Sequence, residues 1–174
     1  MDGIPNLAHH MLIRGDTMKN TKIRTYAFWI LLAEAAGLLS GLLSRAGSET
    51  FSESVNQPPL SPPAIVFPIV WTILYALMGI SAARINLAPQ SPLRSRGLNL
   101  FVAQLVVNFF WSLIFFNAKA YGFAFLWLLL LWFLVLWMIL TFWKVDPLAA
   151  LLQIPYLLWL TFAAYLSYGV WMLN

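Results

Sequence analysis

The sequence predicts an all-α integral membrane protein, a bundle of five transmembrane helices. Three observations carry that prediction. Of 174 residues, 61% are hydrophobic and only 9% charged, against about 25% charged in a soluble domain. The apolar residues gather into five stretches, each near the ~20 residues that cross a bilayer as a helix. The basic residues stand at the ends of those stretches rather than in a patch, so the net charge of +4 is not a nucleic-acid footprint. There is no cysteine, which excludes disulfides and thiolate chemistry.

Residues Met1 to Thr25 read as a polar, basic tail ahead of a membrane domain from Tyr26 to Asn174. Met18 offers a second start, which would make the first 17 residues a dispensable leader. His9 and His10 are adjacent and do not face one way on a helix, so the tail reads as disordered rather than as a metal site. The first span, about Tyr26 to Ser44, exceeds the 7–15 apolar residues of a signal peptide and reads as a retained helix. The second runs about Ala64 to Arg84 and the third about Leu98 to Phe116. The fourth covers about Gly122 to Trp143, and the fifth about Leu148 to Leu173.

The connection Arg45 to Pro63 is the longest and is rich in Ser and Pro, whereas Asn117 to Tyr121 and Lys144 to Pro147 are tight. Short links make spans three, four and five antiparallel neighbours. Arg14, Lys19, Lys22, Arg24, Arg84, Arg94, Arg96 and Lys144 fall on one side, Arg45 and Lys119 on the other. That asymmetry predicts a cytoplasmic N-terminus and an external C-terminus.

Polar and small residues inside the spans are the candidate functional positions. Gln104, Asn108 and Trp111 are spaced i, i+4 and i+7, so a helix sets two amides and an indole on one face. Such a face is either a helix-to-helix clamp or the wall of an internal pocket. Pro62-Pro63 opens the second span, Pro68 bends its entry, and Trp71 and Tyr75 follow four apart. Pro155, Trp159 and Ala163 repeat the pattern in the fifth, where a bend would leave room beside a flat ring. Prolines also kink membrane helices routinely, and tryptophans fill gaps, so spacing alone leaves both readings open.

Glu34 is the only acidic residue deep in a span. It reads either as a proton or cation site, as in small multidrug antiporters, or as a protonated acid hydrogen-bonded to a neighbouring helix. Gly37-x-x-x-Gly41 permits close helix contact within the bundle or between subunits. In the fourth span, Trp127, Trp132, Trp137 and Trp143 scatter around the helix, which suits a lipid-facing wall. No Ser-His-Asp set, glycine-rich phosphate loop or metal-spaced His/Cys cluster occurs, and the spans hold no histidine or cysteine to ligate haem iron.

Pro62-Pro63, Val66 to Tyr75 and Met78-Gly79 together resemble the second helix of the TspO/translocator protein family, the tryptophan-rich sensory proteins and peripheral-type benzodiazepine receptor. Gln104-Leu105, Asn108, Trp111-Ser112 and Phe115-Phe116 resemble its third helix. Pro155-Tyr156-Leu157, Trp159, Phe162-Ala163, Tyr168 and Trp171 resemble its fifth.

The resemblance implies a five-helix bundle, often a homodimer, with a pocket open toward the long first loop. It implies binding of tetrapyrroles such as protoporphyrin IX, as ligand and not as a required cofactor, and of isoquinoline or benzodiazepine compounds. Trp71, Tyr75, Gln104, Asn108, Trp111, Trp159 and Ala163 would line that pocket. Some bacterial members are reported to promote light-dependent porphyrin breakdown, for which Trp71 and Trp159 would be the redox partners. Ile65 stands where a tryptophan is common, and Ser167 where an asparagine is usual. Tyr165 and Tyr168 are followed by no Lys or Arg, which breaks the sterol motif of animal members and favours a bacterial type. The expected function is therefore tetrapyrrole sensing, sequestration or transport. The alternatives are oxidative porphyrin degradation and proton-coupled export through Glu34.

Overall fold

A computed structural model describes the backbone of residues 4–174 and the side chains from residue 18 onward. The readings of His9, His10 and the first 17 residues as tail or leader lie outside the described side chains. Among the described residues every regular element is helical, and five spans are long and apolar enough to cross a membrane.

Helix α1, Ile4–Leu43, extends well upstream of Tyr26, so residues 18–25 continue the first helix rather than precede it. Hydropathy marks where lipid begins, whereas residues 18–25 hold no Gly or Pro that would stop the helix short of it. Ser44 makes the turn, its hydroxyl donating to the Ser40 carbonyl at 2.8 Å. The first connection is not irregular throughout: Arg45–Ser54 forms α2. Its one aromatic residue, Phe51, seats α2 on the bundle end by packing on Phe115, Phe116 and Tyr121 with ring centroids 5.3, 5.4 and 6.3 Å apart.

Helix α3, Val66–Leu87, begins after Pro62-Pro63, with Pro68 in its first turn. A proline there costs no helical hydrogen bond, because first-turn amides lack intrahelical partners. Helix α4, Pro92–Ser112, is capped by Ser91, which accepts from Arg94 N–H, and it ends in a π-helical turn, Leu113–Asn117. Helix α5 spans Tyr121–Trp143.

The fifth span is two helices, not one bent helix. A short α6, Pro147–Leu151, precedes α7, Ile154–Leu173. Pro155 explains the break: it has no N–H to give the Leu151 carbonyl, and its ring would collide with that carbonyl in a continuous helix. It stands in the first turn of α7, where it fits.

The helices close a ring in which α1 packs on α3 and α4, α4 on α5, and α5 on α7, with α6 filling between α3 and α5. Of the helix pairs that close this ring, α3 and α7 have the sparsest backbone contact. Helix α1 meets α3 closely because of two glycines. A Cβ at Gly79 would stand 2.7 Å from Ile30 N and 2.8 Å from the Trp29 carbonyl, and one at Gly37 would collide with the Tyr75 ring. Gly41, by contrast, has nothing within 4 Å, so Gly37-x-x-x-Gly41 is split between the bundle interior and the outside.

Hydroxyls stitch other pairs: Ser40 donates to the Phe109 carbonyl at 2.7 Å and Ser81 to the Ala149 carbonyl at 2.7 Å. The outer faces carry exposed Leu31, Leu38, Ile73, Phe133, Leu140 and Leu158, an apolar exterior suited to lipid.

Candidate functional site

The polar core of the bundle is built from α3, α4 and α7. Apolar neighbours at Leu100, Phe101 and Leu105 turn α4 so that Gln104 and Asn108 are buried, 0% and 3% exposed. A buried amide without a partner is costly, and both amides find one. Asn108 Nδ2 donates to the Tyr75 hydroxyl at 3.0 Å. Gln104 Oε1 accepts from the Tyr156 hydroxyl at 3.1 Å, and its Nε2 contacts Met78 Sδ at 3.9 Å. Three helices are thus tied at one level by two tyrosines and two amides.

Aromatic rings extend this core across the sparse seam. Trp71 stacks on Tyr75, centroids 5.4 Å apart at 29°, and meets Tyr156 edge-on at 6.1 Å. Trp159 reaches from α7 to Phe67 of α3 at 5.9 Å, edge to face, and contacts Phe162 at 5.7 Å. Ala163, one turn beyond Trp159, packs against the same core as a small residue beside these rings. Where α3 and α7 part, flat side chains rather than backbone fill the gap.

The structure brings all seven candidate residues to one cluster: Tyr75 belongs to it, Trp71, Trp111, Trp159 and Ala163 pack against it, and Gln104 and Asn108 bond its tyrosines. Trp111 stands nearer the α2 end. Its indole donates to the Ala124 carbonyl at 3.1 Å and stacks on Phe115 at 5.0 Å, so it bridges the main cluster to a second one. Tyr156, Phe67 and Met78 also belong to the site. Tyr156 had a legible signal, since Gln153, Tyr156 and Leu160 fall at i, i+3 and i+7 and all three are buried.

Above the rings lies the first connection, held to α7. Asn56 N–H donates to Asn174 Oδ1 at 3.0 Å, and Asn174 Nδ2 donates to the Asn56 carbonyl at 2.9 Å. Tyr165 donates to the Pro59 carbonyl at 2.9 Å. Pro58 is buried against Gly169, where a Cβ would approach Pro58 Cβ to 2.6 Å. The connection therefore covers the same end of the bundle toward which Trp71 and Trp159 lie.

Glu34 is half-buried on α1 and among the described residues makes no hydrogen bond or ion pair, so the reading of it as an acid bonded to a neighbouring helix is not realised there. On α5 the tryptophans divide. Trp137 and Trp143 are exposed, as a lipid-facing wall requires. Trp127 and Trp132 instead donate to the Val107 carbonyl and the Thr161 hydroxyl, at 2.8 and 2.9 Å, tying α5 to α4 and α7. Among the described residues no group of three His, Cys, Asp or Glu could hold a metal ion.

Comparison with known proteins gives one consistent result. The TspO/MBR family pattern matches residues 29–172. Protein CrtK of Rhodobacter capsulatus is 40% identical over 110 residues, 63% of this chain and 69% of that protein. Tryptophan-rich protein TspO of Chlorobaculum tepidum is 34% identical over 110 residues, 63% of this chain and 70% of that protein. The human translocator protein is 36% identical over 104 residues, covering 59% of this chain and 62% of its own length.

Proposed function

The chain belongs to the TspO/MBR family of membrane sensory and translocator proteins, and from that premise we propose that it binds a tetrapyrrole such as protoporphyrin IX in the α3–α7 seam. The observation that carries the proposal is the bridging of two sparsely touching helices by Trp71, Phe67, Tyr156 and Trp159. Edge-on contacts between those rings can be exchanged for contacts to the faces of a flat macrocycle at little net cost, because each ring keeps an aromatic partner. Tyr75 and Tyr156, pinned by Asn108 and Gln104, would form the floor. The propionate edge would face the Asn56–Pro59 segment and water.

Such a site would hold its ligand by stacking and shape, since the spans offer no histidine or cysteine to an iron. Isoquinoline and benzodiazepine compounds are smaller flat rings that the same seam would accept.

A second reading is favoured by the contact of Trp71 with both Tyr75 and Tyr156. Oxidisable side chains in contact could pass an electron to a photoexcited porphyrin, with dioxygen as the terminal oxidant. The test is a protoporphyrin IX titration of purified protein, following tryptophan fluorescence in the dark and then under light. Saturable quenching that is lost in Trp159→Ala supports binding. Conversion of the bound pigment's spectrum in light, lost in Trp71→Phe/Trp159→Phe while affinity persists, supports the enzyme. Unsaturable quenching, the same in wild type and variants, would sink both.

A further inference from the structure

The bundle end opposite the first connection carries Lys19, Lys22, Arg24, Arg84, Arg94, Arg96 and Lys144 against a single described carboxylate, Asp146. Two grooves open there between α1 and the end of α3, the larger reaching the turn after α5 as well. One, of about 460 Å³, is lined by Lys22, Tyr26, Arg84, Leu87, Val145 and Asp146 among others. The other, of about 400 Å³, is lined in part by Arg24, Trp29 and Asn86.

The charges in these grooves are unequally committed. Arg84 is clamped by Asp146, Nε to Oδ2 at 2.8 Å and Nη2 to Oδ1 at 3.2 Å, with Tyr26 as a further hydrogen-bonding neighbour, which fixes the guanidinium while its side chain stays 31% exposed to the groove. Arg94 is spent on Asn86 and Gln90. Among the described residues Lys22 and Arg24 have no hydrogen-bond or ion-pair partner. The larger groove therefore combines one neutralised pair, one free ammonium, a tyrosine and an apolar wall of Leu87 and Val145. Lys22 and Tyr26 stand one turn apart on α1, where its apolar run begins, at the depth of lipid headgroups.

We propose that this groove is a binding site for the phosphate of an anionic phospholipid, held chiefly by Lys22 with the solvent-facing edge of Arg84 beside it, and with the glycerol and first acyl carbons against Leu87 and Val145. The ligand class follows from the combination. A soluble anion would use the cations and leave the apolar wall wet, whereas a zwitterionic lipid would bring its own cation to a groove that has an excess of one. The site is remote from the α3–α7 rings and does not depend on the tetrapyrrole reading.

The test is a titration of delipidated protein in detergent with palmitoyl-oleoyl phosphatidylglycerol or phosphatidylcholine, counting bound lipid by native mass spectrometry. One phosphatidylglycerol should bind several-fold tighter than phosphatidylcholine. Lys22→Gln should weaken it about fivefold, the effect of one basic side chain near the headgroups, and Lys22→Arg should restore it. Arg96→Gln removes the same charge from the same end but outside the groove, and should leave the affinity unchanged. Equal losses in Lys22→Gln and Arg96→Gln would mean diffuse attraction and overturn the site, as would equal binding of the two lipids. Glycerol 3-phosphate at millimolar concentration distinguishes the source: failure to displace the lipid supports the lipid site, and displacement would overturn it in favour of a free phosphate.

Discussion

Asn108 and Tyr75 decide whether the buried amides clamp helices or line a pocket. Their hydrogen bond, 3.0 Å between groups 3% and 8% exposed, joins α4 to α3. Interhelical bonds of this kind contribute about 0.6 kcal/mol on average in membrane proteins, and at most about 1.7. Asn108→Leu strands the Tyr75 hydroxyl, and Tyr75→Phe strands the amide, each costing about 1–2 kcal/mol once the desolvated group is counted. The double variant strands neither, so it should be less destabilised than the sum of the singles, with a coupling of about 0.6–1.7 kcal/mol. Unfolding in mixed SDS and mild-detergent micelles, followed by tryptophan fluorescence, measures all four proteins. Additivity within about 0.3 kcal/mol would refute the clamp. Protoporphyrin titration of the same set then separates the roles. Affinity that recovers with stability in the double variant marks a scaffold; affinity lost in both backgrounds marks a ligand contact.

Gly79→Ala should destabilise the bundle by about 1–3 kcal/mol in the same micelle assay, because its Cβ would meet the α1 backbone, 2.7 Å from Ile30 N. Backbone cannot rotate away, so a neutral result would show that α1 docks less tightly than described. Asn174→Ala removes the pair of bonds to Asn56; hydrogen exchange at residues 45–63 should rise several-fold while global stability changes by less than about 1 kcal/mol, since the groups are exposed. Unchanged exchange would show that Phe51 and Pro58 suffice to hold the connection. Glu34→Gln should leave stability within about 0.5 kcal/mol and porphyrin affinity unchanged, because among the described residues the carboxyl has no hydrogen-bond or ion-pair partner to lose. A large loss in either would return Glu34 to the centre of the function.

Much of the architecture is legible in the chain because bilayer thickness imposes one rule on every span. The five apolar runs mark five crossings, and Gln104 and Asn108 mark a buried face, since no other placement satisfies an amide in lipid. What is not legible depends on single contacts. Helix α2 is short, and its Ser and Glu content resembles a loop; the docking of Phe51 on three rings and the close approach of Gly47 to Phe116 make it an element. The break before α7 was readable as a bend, because Pro155 shows that one helical bond is missing but not whether the helix continues across the gap. Trp111 shares the face of Asn108, yet an indole is long enough to reach the Ala124 carbonyl of α5 instead of the seam. Gly37-x-x-x-Gly41 looks like one contact surface, but α1 turns Gly37 onto Tyr75 and leaves Gly41 open.

The bond between Asn56 and Asn174 spans 118 positions of sequence. A chain inserted span by span would make the first connection early and then wait for α7 before either bond could form. Until then Phe51 can already find Phe115 and Tyr121, once α4 and α5 are in place. Closure of the connection is accordingly the last step of assembly and not the first. A biosynthetic intermediate lacking only α7 would present an open, half-built seam, with Phe67 lacking Trp159 and Trp71 lacking Tyr156.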